Sequence, residues 1–151
     1  MLSNSTNSII NQQFWKTFGQ YMSPVPSAEG DKINWVNYKT GVKFFRFTMQ
    51  QRERNVRIAI ELTNPNIIVH TQEFEQLCEL KKEFYNICGD DWIWTKNATD
   101  ANGITCSSIS RDIKNVNILK EEDWPSIISF LKIRIISLDN FWNNYKYIFQ
   151  F

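Results

Sequence analysis

Apolar residues recur at helical intervals near both ends of this chain and alternate with polar ones in its middle. From Ser5 or Thr6, both good N-cap types, Ile10, Phe14, Phe18 and Tyr21 fall three or four apart, and Ile9, Trp15 and Met22 widen the stripe. That spacing predicts a first helix, with residues 1–8 as a loose N-terminal end. The stretch SPVPSAEGD, residues 23–31, should stop it, because two prolines so close cannot continue a helix.

Three strands are expected next. INWVNY leads through KTG into VKFFRFTM, and QQRERN joins that strand to VRIAIEL, as in an antiparallel meander. Val56, Ile58, Ile60 and Leu62 should share one face and Arg57, Ala59 and Glu61 the other; in the preceding strand Phe45, Phe47 and Met49 oppose Val42, Phe44, Arg46 and Thr48. From Thr71 a second amphipathic helix is expected, with Phe74, Leu77, Cys78, Phe84, Tyr85 and Cys88 as its stripe, Glu73 and Glu75 near its positive end and Gly89 as its stop. DWIWT and ITCSSIS read as two further strands around a polar turn. In the last segment Ile128, Leu131, Ile135, Leu138, Trp142, Tyr145 and Phe149 form a seam, predicting a long helix from about Asp123 to Tyr147 with Pro125 in its first turn. The string α-β-β-β-α-β-β-α describes a single α+β domain over 1–151, with a mainly antiparallel sheet packed against helices.

Composition changes this picture little. The 151 residues are 42% apolar and 22% charged, ordinary for a globular domain, but Phe 11, Trp 6 and Tyr 5 make 15% of the chain aromatic, which calls for a ring-rich core. Cys78, Cys88 and Cys106 are odd in number and lack CxxC spacing, so they read as reduced thiols of a cytoplasmic protein. No secretory leader and no membrane-spanning run is visible. With one histidine, His70, expected ahead of a helix with no acid to orient it, neither a metal centre nor a nucleophilic dyad is expected, and no cofactor is. A metal-dependent nuclease would need an acid on one strand and an acid-x-Lys on the next. Glu61 has no such lysine, and Glu79-Leu80-Lys81 falls within the second helix.

Charge is concentrated in KTGVKFFRFTMQQRERNVR, residues 39–57, where six basic residues face the single acid Glu53, a local +5 in a chain of net +1. Lys39, Lys43, Arg46, Arg52, Arg54 and Arg57 could track phosphates, and Phe44 could stack a base beside Arg46. The alternative is a solvated sheet face on which Arg46 and Arg57 pair with acids such as Glu61. The last helix carries a second apolar set, Phe130, Ile133 and Ile136, which one sheet face cannot easily cover, so a homodimer through this helix is expected.

The phrases FWKTFGQYM, INWVNYKTG, IAIEL and DWPSIISFLKIRIISLDNFW occur in the order found in a bacterial family, and from about Phe14 to about Tyr147 the chain resembles domain of unknown function 4268 (DUF4268). The resemblance brings no established activity and no catalytic residues. It implies small proteins that stand alone or form the C-terminal part of longer proteins whose N-terminal part resembles a PD-(D/E)XK nuclease. The expectation is therefore a non-catalytic binding module near nucleic-acid-directed machinery, with nucleic acid or a nuclease-type protein as partner. The alternative is a protein-interaction or dimerisation module with no nucleic-acid role; a nuclease-like enzyme comes third.

Overall fold

The computed structural model describes residues 4–99 and 102–149. Helix α1 spans Asn4–Met22, so residues 4–8, expected as part of a loose end, are already helical. Strands β1 (Phe45–Arg52) and β2 (Asn55–Leu62) form a hairpin with a two-residue turn, and helices α2 (Ile67–Glu79) and α3 (Lys81–Cys88) follow. Strands β3 (Ile93–Thr99) and β4 (Thr105–Lys114) precede α4, which spans Trp124–Tyr145 with a proline in its first turn. The α+β class, the antiparallel sheet and the long C-terminal helix are as expected. The sheet order is β1-β2-β4-β3, every neighbour antiparallel.

One sheet face carries the core. Val56, Ile58, Ile60 and Leu62 of β2 lie between Phe45 and Phe47 of β1 and Ile109 of β4, all at most 6% exposed. Rings join this face to the helices: Phe45 lies 4.7 Å from Trp142 of α4, and Phe74 of α2 lies 6.3 Å from Trp94 of β3. Phe84 of α3 meets Phe141 of α4 edge-on at 5.2 Å, and Phe14 of α1 meets Trp124 at 5.4 Å. Edge-to-face contacts of this kind add to the large areas that rings bury.

The segment INWVNY, residues 33–38, is a loop rather than the expected first strand. Asn34 is the local reason: its Oδ1 accepts the N–H groups of Val36 (3.1 Å) and Asn37 (3.0 Å), closing a turn that competes with any sheet ladder. Its alternating pattern serves a strap, residues 23–44, laid on α4. Trp35 is buried with its indole N–H on the Val25 carbonyl, Trp142 donates to the Thr40 carbonyl, and Asp139 accepts from Ala28 N–H and Tyr38 O–H.

The second helix also differs. Asn66 caps it, accepting Ile68 N–H at 3.0 Å, so that it begins at Ile67, four residues before the expected start, and it breaks at Leu80. The earlier start brings His70 into the helix, and the buried stripe is His70, Glu73, Phe74 and Leu77, so Glu73 is buried in mid-helix rather than near the positive end, and Cys78 is exposed rather than in the stripe. Gly89, in the left-handed region at φ 92°, ends α3 as expected.

Candidate functional site

The second face of the sheet is open. Strand alternation sends Arg46, Thr48, Gln50 and Arg52 of β1 to it, together with Arg57, Ala59 and Glu61 of β2 and Cys106, Ser108, Ser110 and Asp112 of β4. The helices pack through rings and aliphatic side chains on the opposite face. Two hollows of about 630 and 220 Å³ adjoin there, sharing Arg52, Glu61 and Thr63. Together they form a shallow trough across all four strands, basic at the β1 side and floored further on by Ala59, Thr95, Ala98, Cys106 and Ser108.

Its electrostatics are uneven. Arg57 grips Asp112 on the neighbouring strand with two parallel bonds, Nε to Oδ1 at 2.7 Å and Nη2 to Oδ2 at 3.1 Å, and that bond holds the Arg57 pKa above its ordinary value. Glu61 sits opposite Arg46 in register but accepts from the Thr48 hydroxyl and, at 3.7 Å, from the Cys106 thiol. Among the described residues the other ion pairs are Arg111 with Asp91 and Lys146 with Glu29. Arg46 and Arg52 thus enter the trough without a salt bridge. Lys114, opposite Asn55 on β4, continues the same face, and its place could have been found by extending the strand alternation past Ser110.

The expected basic set is therefore split. Arg46, Arg52 and Arg57 come together, and Arg54 lies in the hairpin turn beside them. Lys39 lies instead on the strap, beside a cavity against α4. Phe44 is in the left-handed region at φ 65°, which takes it out of the β1 alternation, and the Lys43 ammonium lies 5.2 Å over its ring. Stacking of a base by Phe44 beside Arg46 is thus not prepared. Of the dimer set, Phe130 is buried within the chain, Ile136 packs partly against the core and Ile133 is 63% exposed.

His70, expected ahead of its helix, lies inside α2 and is 1% exposed. Its Nδ1 is 3.3 Å from the Asn64 carbonyl, so that nitrogen carries the proton and Nε2 accepts from the Ser107 hydroxyl at 2.7 Å. Ser107 Oγ also accepts Asn97 N–H at 3.0 Å, in the irregular part of β3. This arrangement has the contacts of a serine–histidine pair, but Ser107 is fully buried, which seals its oxygen from any substrate. Its work is to satisfy buried polar groups. Among the described residues no three His, Cys, Asp or Glu side chains come together as metal ligands, and no helix is long and apolar enough to cross a membrane.

No curated protein and no solved structure matches the chain. The family model "Domain of unknown function (DUF4268)" matches residues 10–146, a span from the second turn of α1 to just past the end of α4 that includes the whole sheet. The chain belongs to the DUF4268 family.

Proposed function

We propose that the protein is a non-catalytic binding module whose open sheet face takes the phosphate backbone of a nucleic acid, in the service of nucleic-acid-directed machinery. The observation that carries this reading is the trough itself, where Arg46 and Arg52 stand without ion-pair partners among the described residues, beside a floor of small side chains. Such a floor lets a polymer backbone approach the sheet closely. No large ring belongs to the trough's lining, so contact would run through phosphates rather than stacked bases and would be weakly sequence-dependent. Two or three phosphate contacts give modest affinity and a shallow salt slope. The free thiols Cys78 and Cys88 suit a reducing cytoplasm. Fluorescence anisotropy with labelled duplex DNA, single-stranded DNA and RNA at about 50 and 200 mM salt tests the proposal. Binding that weakens with salt supports it; no binding of any of the three at tens of micromolar protein removes it.

A second reading, a protein partner or second copy against α4, is favoured by Ile133, a large apolar side chain standing 63% exposed at mid-helix. Light scattering on a sizing column separates the copy case, because a dimer weighs twice the 17.9 kDa chain.

A further inference from the structure

Away from the sheet face, a cavity of about 320 Å³ lies between the strap of residues 23–44 and α4. Its walls come from segments about a hundred residues apart in sequence, and they are fixed: Trp142 is tied to the strap by the bond from its indole to the Thr40 carbonyl, 2.9 Å, and Tyr38 by its hydroxyl to Asp139, 2.5 Å. The cavity is pre-formed and falls at the small end of the range for ligand sites.

Asp139 sets its chemistry. This carboxylate is 4% exposed, yet among the described residues only neutral donors reach it: Ala28 N–H at 2.7 Å on one oxygen and the Tyr38 hydroxyl on the other. Burial and the adjoining carboxylate raise the Tyr38 pKa, so the hydroxyl keeps its proton and serves as a donor. Buried carboxylates ordinarily face a positive group, because desolvation is otherwise uncompensated. Asp139 has no ion-pair partner among the described residues, and Lys146, just past the end of α4 and also on the cavity wall, is engaged with Glu29 at 2.5 Å. Asp31 and Glu29 bring the carboxylates of the lining to three against the ammonium groups of Lys39 and Lys146, and Asn37 and Asn143 add amides that can both donate and accept.

We propose that this cavity binds a small organic cation, a primary amine or guanidinium, seated against Asp139 with its remaining donors turned to Asp31 and the Asn37 and Asn143 side chains. The inference is independent of the sheet-face reading, since the two sites use different residues. Isothermal titration with 1,4-diaminobutane and with agmatine, at constant ionic strength, tests it, with glucose and acetate as neutral and anionic controls. The intact wild-type chain should bind at least one cation and neither control. Asp139→Asn should weaken that binding at least about tenfold and Asp31→Asn a few-fold, while Arg46→Glu leaves it unchanged. Far-ultraviolet dichroism checks that each variant is folded; if Asp139→Asn does not fold, Asp31→Asn and the cavity-filling Asn143→Trp decide, and both should weaken binding. Absence of binding by both cations up to about 10 mM overturns the proposal. So does equal binding of the controls, or unchanged affinity in the folded variants.

Discussion

Arg57 and Asp112 face each other from the neighbouring strands β2 and β4 and share two parallel hydrogen bonds, 2.7 and 3.1 Å long. This pair divides the basic stretch 39–57. One guanidinium is held on the sheet, while those of Arg46 and Arg52 have no ion pair among the described residues. Replacing Asp112 by Asn keeps the size of the side chain and releases the charge. Asp112→Asn should lower stability by about 1 kcal/mol, read as an earlier urea midpoint, and at the same time tighten nucleic-acid binding a few-fold. A variant that loses both stability and affinity would indicate that the pair shapes the site rather than neutralises part of it.

Glu73 gives the protein a pH dependence. It is 1% exposed, its Oε1 has no partner, and burial pushes its pKa up to about 7 from an ordinary 4.5. The folded state therefore holds this proton more tightly than the unfolded chain does. Its favourable contribution is full below about pH 4.5, shrinks as pH rises and is gone above about pH 7, where the chain must bury a charge to stay folded. Glu73→Gln should flatten this slope and raise stability at pH 8 by about 1–3 kcal/mol, with little change near pH 5, as measured by thermal melts across the range. Equal slopes for the two proteins would contradict the assignment.

The hairpin turn between β1 and β2 places Glu53 in the left-handed region at φ 54°, where a residue with a Cβ is strained. Glu53→Gly relieves that strain and removes an acid beside Arg52 and Arg54. The expected outcome is a stability gain of up to about 1 kcal/mol together with unchanged or tighter nucleic-acid binding.

The strap is held by few polar anchors, so each should matter. Tyr38→Phe removes a donor from the buried Asp139 carboxylate and should cost about 1–3 kcal/mol. Hydrogen exchange should show faster opening of residues 23–44 in that variant, with the sheet amides unchanged.

Much of this architecture is legible along the chain, and its exceptions have local causes. The alternation in VRIAIEL gives the two faces of β2, and the three-four seam gives α4, because both patterns are long and each element buries one side. The same alternation puts Arg46 and Arg57 on one face, so part of the candidate site is readable as well, while Arg52 joins them because β1 runs on into QQRERN, which reads in the sequence as the connection. INWVNY misleads because a strap tucked on a helix also buries every second or third side chain, and only the bonds of Asn34 reveal the turn. His70 and Glu73 are missed because polar residues are read as surface, and because α2 starts at Ile67, behind the capping Asn66, earlier than the pattern suggests. Phe44 falls out of the site because its backbone conformation cannot be read from its side chain. Of the second apolar set of α4, Phe130 is buried and Ile136 packs partly against the core within the chain, while Ile133 stays 63% exposed.

The central claim is that the open sheet face is the binding surface, and amide chemical-shift mapping tests it most directly. Isotope-labelled protein titrated with a short oligonucleotide at low salt should show its largest shifts at Arg46, Thr48, Arg52, Arg57 and Ser108, and those shifts should vanish in the Arg46→Glu/Arg52→Glu double variant. Shifts confined to α1, α4 or the strap, or none at saturating oligonucleotide, would contradict the account.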